Sequence, residues 1–201
     1  YNAPDPTIVS GSVTFDRGTI AGVETYTINS PTAVIDFTPS DTGTGGGAIN
    51  FQSAGTTVTY FNGANTNDYT VLNRIVPVDP ARPIQFNGTV RAQLQQGQAA
   101  GGNLWFYSPG GIILGATAAF DVGGLLLTAR DPTGGSGVIG STTTGIAGGG
   151  AAGSYVTITQ GATVNATPEG SYVALMAPGI RQSGTVRVNG SAAYVAAESA
   201  T

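Results

Sequence analysis

The sequence lacks three side-chain types altogether: it has no cysteine and no histidine, and its seven basic residues are all arginines. Without histidine there is no Ser-His-Asp triad, and without cysteine or histidine there is no ordinary zinc site. Without lysine there is neither a Schiff-base nucleophile nor a P-loop. A chain of 201 residues buries roughly 70% of its unfolded surface and needs no disulfides. The missing cysteine therefore excludes a small disulfide scaffold but leaves the compartment open.

Charged side chains are also scarce, at 9% of the residues, and the formal net charge is -4. Binding to nucleic acid needs clustered cations, whereas the arginines are scattered from Arg17 to Arg187, so we expect no nucleic-acid partner. No run approaches the roughly 18 apolar residues of a membrane span. The first residues lack the basic and apolar regions of a signal peptide, so we expect a mature or trimmed chain.

Glycine is abundant, with 32 residues, and it separates short runs rich in Val, Ile, Thr, Tyr and Phe. Such runs, bounded by Gly, Pro, Asn or Asp, are typical of β-strands, and residues 24–28 and 57–61 also alternate in polarity. Only residues 91–100 have helical propensity, which Gly97 weakens, so a short helix and an extruded loop both remain open there. The chain is predicted to be all-β.

Four apolar runs in the middle of the chain begin 8, 7 and 6 residues apart, namely residues 104–107, 112–114, 119–122 and 125–128. Three of these runs with their turns take about 21 residues, and Tyr-Val pairs recur later at Tyr155, Tyr172 and Tyr194. A period near 20 with three short strands favours a β-solenoid, in which successive coils stack. Many short strands with frequent turns also fit a β-sandwich, so spacing alone leaves both architectures open.

An ordered set of sequence words is similar to a known family. They are Tyr-Thr-Val-Leu-Asn-Arg-Ile-Val at 69–76, Ile-Gln-Phe-Asn-Gly-Thr-Val at 84–90, Gly-Asn-Leu-Trp-Phe-Tyr-Ser-Pro-Gly-Gly-Ile-Ile-Leu-Gly at 102–115 and Phe-Asp-Val-Gly-Gly-Leu-Leu-Leu-Thr-Ala at 120–129. Their order resembles the N-terminal secretion domain (haemagglutination activity domain) of filamentous-haemagglutinin-like exoproteins, the passengers of two-partner secretion. The similarity runs from about residue 30 to 130, and residues 170–201 resemble later coils of the same exoproteins.

The resemblance implies a right-handed parallel β-helix, a solenoid, with an N-terminal β cap and extra-helical strands and loops. Residues 1–201 are then a single secretion domain. It comprises a cap region at 1–61, core motif coils at 62–130, a glycine-rich loop at 131–153 and further coils at 154–201. Because the last residues still have strand character, we expect the native protein to continue beyond them.

The same resemblance implies a non-enzymatic secretion and folding-nucleation domain of a large extracellular adhesin or fibre protein. The expected partner is an outer-membrane β-barrel transporter with periplasmic domains. The expected location is secreted or at the cell surface, after export through the periplasm of a Gram-negative-type bacterium. Glycans of a host or another surface are candidate partners of the full-length protein, and the ends of the β-helix are candidates for self-association.

Two of the family words carry the expected transporter recognition. The word at 69–76 contributes Asn73 and Arg74, and the word at 102–115 contributes Ser108, Pro109, Gly110, Gly111 and Ile112. The family's Asn-Pro-Asn-Gly-Ile is here Ser-Pro-Gly-Gly-Ile, so both amide side chains are missing. The proline and the last glycine, which favour a tight turn, remain.

Other motifs predict no catalytic, cofactor or metal site. Residues 135–140 match G-x-G-x-x-G, but the Ser-, Thr- and Gly-rich stretch after them is a poor helix former, so we expect a loop instead of a nucleotide site. Asn65, Asn67 and Asp68 offer fewer carboxylates than a calcium site needs. No pair of acids stands out for glycosidase chemistry.

The densest aromatic run is Trp105, Phe106 and Tyr107. Alternation puts Phe106 on one face of a strand and the other two rings on the opposite face, which fits a core ladder or a strip that binds sugar or a partner.

Two further functions of the chain stay open. One is a subunit of a self-assembling extracellular filament with exposed strand ends, and the other is a polysaccharide-active β-helix enzyme.

Overall fold

The computed structural model describes residues 1–64, 67–133 and 150–197, together with the backbone of Ile146–Ala147 and Ser199–Ala200. These residues form strands, turns and loops, and no helix occurs among them, which confirms the all-β prediction. Consequently, the described part of the chain also offers no helix with the length and apolarity needed to cross a bilayer.

Most strands belong to three parallel ladders, and the chain visits the ladders in a fixed order, so that each strand pairs with its counterpart one visit earlier or later. The first ladder contains β3 (Val23–Ile28), β6 (Thr57–Asn62), β9 (Thr89–Gln93), β12 (Ala119–Asp121) and the first parts of β16 (Thr163–Ala177) and β18 (Thr185–Ala196). The second ladder contains β4 (Thr32–Phe37), β7 (Thr70–Ile75), β10 (Asn103–Tyr107), β13 (Gly124–Thr128) and the later parts of β16 and β18. The third ladder contains β5 (Ile49–Gln52), β8 (Ile84–Phe86), β11 (Gly111–Leu114), β15 (Tyr155–Ile158) and β17 (Gly179–Gln182).

One strand from each ladder, taken in chain order, makes what we call a three-strand unit. The four apolar runs of the sequence are β10 to β13, and β13 returns to pair with β10 in register from Asn103↔Gly124 to Tyr107↔Thr128. This parallel pairing differs from the antiparallel sheets of a β-sandwich. The arrangement is compatible with a β-helix.

Antiparallel strand pairs occur among the described strands at the N-terminal end of the stack and in one separate two-stranded sheet. At the N-terminal end β1 (Thr7–Ser10) pairs with β4, and β2 (Val13–Ile20) pairs with β3. The predicted cap spans 1–61, whereas β3 to β6 already pair in parallel with later strands. The short strands β14 (Ile146–Ala147) and β19 (Ser199–Ala200) also form an antiparallel pair. Among the described strands, β18 pairs along its length only with β16, so its other edge has no strand partner among them.

Arg17 fastens the N-terminal segment to the first unit. Its guanidinium donates hydrogen bonds to the backbone carbonyls of Tyr1 at 2.8 Å and Ala3 at 2.9 Å. Its Nε donates to Glu24 at 3.0 Å, and Glu24 also pairs with the α-ammonium group of Tyr1. The ring of Tyr1 stacks on Phe51 with centroids 4.5 Å apart, so this segment covers the end of the core.

The core is built from rows of inward side chains, one from each unit. In the second ladder Val71, Leu104 and Leu125 are register partners and are all fully buried. Rings of Phe86 and Phe106 lie 5.2 Å apart in an edge-to-face arrangement, and similar contacts extend along the stack. Each such burial stabilises the fold by about 1.5–3 kcal/mol. The rows explain the period-two pattern, because alternate residues of a strand face the core.

The aromatic run follows the predicted alternation. Phe106 is fully buried in the main core, while Trp105 packs on the other side of the ladder against a second cluster of Val34, Leu72 and Tyr107. The stretch 91–100 resolves as strand β9 followed by an extruded loop, which a bridge between Gln93 and Ala100 closes. No helix forms there.

Candidate functional site

The residues predicted to contact a transporter lie in neighbouring units of the second ladder. Asn73 and Arg74 are on β7, and Arg74 is the register partner of Tyr107, the residue that precedes Ser108 on β10. Residues 108–110 then form the corner between β10 and β11, and Gly111 and Ile112 are the first residues of β11. The fold therefore brings the two sequence words together, although 33 residues separate Arg74 from Tyr107 along the chain.

Asn73 points into the core and is fully buried. Its Oδ1 accepts a hydrogen bond from the Tyr60 hydroxyl at 2.9 Å, and its Nδ2 donates to the carbonyl oxygen of Trp105 at 3.3 Å. The Tyr60 hydroxyl also lies 3.1 Å from the hydroxyl of Tyr1. Through these hydrogen bonds Asn73 links the N-terminal segment to the third unit. A buried amide without its partners would cost about 1–3 kcal/mol.

The corner from Ser108 to Gly111 is a β-turn closed by a hydrogen bond from the Gly111 N–H to the Ser108 carbonyl at 3.0 Å. Gly110 is not among the glycines with positive φ, which excludes a type II turn and fits type I with Pro109 at its second position. A Cβ on Gly110 would lie 2.1 Å from the carbonyl oxygen of Arg82. The corner is thus held by contact with the preceding unit.

Burial separates these predicted residues into two classes. Arg74 reaches the surface, where its guanidinium donates two hydrogen bonds to Asp36 at 2.7 and 2.6 Å. Ile112 is fully buried, as are Asn73 and Ser108, and the two glycines and the proline of the corner are buried as well. In the folded domain a partner would find Arg74 but not the others.

Beside Arg74 lies a small group of charges on the outer side of the second ladder. Hydrogen bonding to Asp36 raises the pKa of Arg74. Burial raises the pKa of Tyr107 to about 12, and the negative charge of Asp131 acts in the same direction. The Arg74 guanidinium therefore stays protonated and the Tyr107 phenol stays neutral at neutral pH, so neither group is suited to proton transfer there.

Sequence reasoning missed a cavity of the described structure, which we call the corner groove. It has a volume of about 560 Å³ and lies where the chain passes from the first ladder to the second. Its lining residues come from four successive corners: Asn67 and Asp68; Leu94, Ala100, Gly101, Gly102 and Asn103; Gly123; and Pro168, Glu169, Gly170, Ser171 and Tyr172. The one sequence signal of it is the recurrence of glycines just before second-ladder strands, at 101, 102 and 123.

Asp68 and Tyr172 carry the polar chemistry of the corner groove. The Asp68 carboxylate accepts hydrogen bonds from the Asn103 side chain at 2.8 Å and from the Tyr69 N–H at 3.0 Å. The indole N–H of Trp105 donates to the Tyr172 hydroxyl at 2.6 Å. Burial raises the pKa of Tyr172 to about 12, and the charge of Asp68 adds to that effect, so the phenol keeps its proton at neutral pH.

Of the two motifs from which we expected no binding site, only a part lies within the described residues. Asn65 and residues 135–140 lie outside the described residues, whereas Asn67 and Asp68 line the corner groove. In the described ranges, no group of three or more Asp or Glu side chains is arranged to hold a metal ion.

A scan of the chain against models of known protein families finds no match, and a search of curated proteins also finds none.

Proposed function

We propose that the chain is a right-handed parallel β-helix that serves as the secretion and folding-nucleation domain of a large extracellular adhesin or fibre protein. The observation that carries this proposal is the nearest-neighbour pairing of the three ladders, in which each strand contacts its counterparts in adjoining units. Stacks of this kind grow one repeat at a time. A chain that emerges from a transporter N-terminus first can therefore fold unit by unit.

The two ends of the stack differ in a way that suits directional growth. At the N-terminal end Tyr1, β1 and β2 cover the core and the strand edges. At the other end β18 has a bare edge in the described structure, and Tyr194 is 45% exposed. Bare edges template further strands. In this proposal the covered N-terminal units serve as the base on which the following units of the chain are laid.

Recognition by the transporter takes place, in this proposal, before the domain folds. Asn73 and the corner residues 108–112 are buried in the native structure, so they are accessible only in the unfolded chain. Unfolded segments with strand character commonly bind by adding a strand to a sheet edge, with alternate side chains giving specificity. The outer-membrane transporter would offer such an edge in its periplasmic domains. Folding then withdraws the recognised residues and releases the transporter.

The test is an export assay in which the full chain is co-expressed with a candidate outer-membrane transporter of the two-partner type. We expect Asn73→Ala and Pro109→Ala to reduce export at least tenfold. Val164→Ala is the matched control, because Val164 is fully buried but lies outside the family words. Asn73→Ala and Val164→Ala should each cost roughly 2 kcal/mol of stability.

The purified variants are compared by urea unfolding, so that stability and export are read separately. Selective loss of export in the Asn73 and Pro109 variants supports recognition of the two words. If export falls equally in the Val164 variant, folding alone governs export and the residue assignment is wrong. Normal export of all three variants contradicts it too.

A further inference from the structure

The proposed secretion function does not use the corner groove. The residues that line the groove restrict the class of ligand that it can bind. No described residue that lines it is an arginine, while Asp68 and Glu169 both line it. Phosphate, sulfate and carboxylate ligands make their strongest hydrogen bonds with cationic side chains, and the two carboxylates repel them, so anionic ligands are disfavoured. Two carboxylates are also fewer than a calcium site uses. The remaining class is a polar ligand without negative charge.

Hydrogen-bonding capacity in the groove matches hydroxyl groups. Each Asp68 oxygen accepts one hydrogen bond from the protein and keeps a lone pair for a ligand. The Trp105 N–H occupies one lone pair of the Tyr172 oxygen, which leaves the phenolic proton to donate. A fixed acceptor beside an oriented donor suits sugar hydroxyls, which both donate and accept.

Apolar surface alternates with these polar groups. Leu94 and Pro168 line the groove together with Tyr172, and the glycines at 101, 102 and 123 contribute only backbone atoms to its lining. A sugar presents C–H faces as well as hydroxyls, so a lining of mixed polarity fits both of its surfaces. Ligand sites typically combine a largely apolar wall with a few placed polar groups.

The size of the groove favours several linked sugars. Its volume of about 560 Å³ falls within the range of small-molecule sites. It crosses four successive units, and strands in a ladder lie about 4.8 Å apart, so it extends roughly 14 Å along the stack. A smaller cavity of about 80 Å³ shares Asn67 and Asp68 with it and continues in the direction of the N-terminal units.

We propose that the corner groove is a binding site for a neutral oligosaccharide, with Asp68 and Tyr172 as its principal hydrogen-bonding residues. The site goes beyond the secretion role and does not depend on it. Glycan binding would then begin in this domain, before any later part of an adhesin.

Isothermal titration of the purified chain with neutral oligosaccharides of two to four units tests the proposal. The probes are gluco-, galacto-, manno- and N-acetylglucosamine series, with a uronate oligomer and acetyl-arginine amide as charged comparisons. We expect at least one neutral series to bind in preference to both charged probes. Asp68→Asn and Tyr172→Phe should each weaken that binding at least tenfold, and Glu169→Gln, at an exposed position, should weaken it less.

Matched controls lie outside the groove. Asp5→Asn changes a carboxylate that is 78% exposed, and Tyr155→Phe changes a phenol on the third ladder. Both should bind as the parent chain does, and thermal unfolding checks that every variant is folded. The proposal is overturned if no neutral probe binds, if a charged probe binds better, or if the groove variants bind as well as the controls. Export of the groove variants should be normal, which separates this test from that of the secretion function.

Discussion

At the scale of single residues, Trp105 and its two neighbours show what the alternation of side chains along a strand can predict. Alternation predicted that Phe106 faces away from Trp105 and Tyr107, and the structure confirms it. The sequence did not reveal that the outward cluster of Leu72 and Tyr107 is buried as well. Burial of an outer face depends on neighbouring strands and connections distant in sequence, and local periodicity carries no information about them.

A glycine at the predicted recognition corner gives the first prediction at this scale. Gly111 has a φ of +105°, and a Cβ there would lie 2.3 Å from the carbonyl oxygen of Tyr155. We expect Gly111→Ala to lower the free energy of unfolding by about 3–4 kcal/mol, through backbone strain and overpacking together. Urea unfolding followed by the fluorescence of Trp105 measures the change.

Gly153→Ala is the control that separates the two causes. Gly153 also has a positive φ, of +71°, but a Cβ there would meet nothing within 4 Å. Gly153→Ala should therefore lower the free energy of unfolding only through backbone strain, by about 1 kcal/mol. Equal losses in the two variants would show that contact with the following unit does not hold the corner.

The connection between β4 and β5, residues 38–48, belongs to the scale of elements. Arg82 organises it from the next unit: its guanidinium donates to both oxygens of Asp41, at 3.0 and 2.8 Å, and to the carbonyls of Gly43 and Gly47 at 2.9 and 3.1 Å. The same hydrogen bonds lower the pKa of Asp41. One side chain thus replaces the regular backbone pairing that this segment lacks.

Arg82→Lys should loosen that connection because an ammonium group cannot reproduce the planar, multiple donors of a guanidinium. We expect backbone amides in residues 43–47 to exchange hydrogen at least tenfold faster, with the ladders unchanged. Hydrogen exchange followed by mass spectrometry resolves the segment. Arg187→Lys is the control, since Arg187 makes one long contact of 3.5 Å to Asn165. Unchanged exchange at 43–47 would contradict the role of Arg82.

The extruded loop after β9 shows why an element was left open in the sequence. Gln and Ala favour a helix, but the Gln93 side chain instead bonds the backbone of Gly97 at 3.0 Å and of Gln98 at 2.8 Å. Gly97 takes a positive φ of +77°, which ends any helical path. Hydrogen bonds from a side chain to the backbone compete with helix formation. Which of the two forms here depends on the position of the neighbouring strands, which the local sequence does not specify.

For the whole molecule, the spacing of the four apolar runs favoured stacked units without excluding a sandwich, and the Tyr-Val pairs misjudged part of the repeat. Tyr155 lies in the third ladder, while Tyr172 and Tyr194 lie in the second. Tyr172 and Tyr194 are not partners either, since Tyr172 pairs with Ser191. The Tyr-Val pairs therefore do not mark equivalent positions. Corners of unequal length shift the spacing between units, so a short word repeated in sequence does not fix the register.

Buried phenols make the stability of the whole domain sensitive to alkali. Burial raises the pKa of Tyr107 and Tyr172 to about 12 and raises those of Tyr1, Tyr26 and Tyr60 as well. An unfolded tyrosine has a pKa of about 10. Between these values the unfolded chain has lost protons that the native chain keeps, so stability falls as pH rises.

We expect the free energy of unfolding to be steady with respect to the tyrosines up to about pH 9 and to fall steeply above about pH 10. Urea unfolding at several pH values measures it, with phenolate absorbance as an independent readout. Tyr107→Phe removes one buried phenol and should reduce the slope by at most about 1.36 kcal/mol per pH unit. Stability that is unchanged up to pH 12 would contradict this account.

The corners also differ greatly in length, and that difference has a consequence for how such a chain can change. Between β12 and β13 only residues 122–123 intervene, whereas residues 129–154 separate β13 from β15. The strands on both sides keep their register regardless, from Gly111↔Tyr155 to Leu114↔Ile158. A corner needs only to return its two ends one strand spacing apart, and longer loops cost little more to close. Evolution or an engineer can thus insert peptides, epitopes or whole domains at such a corner while the scaffold beneath stays the same.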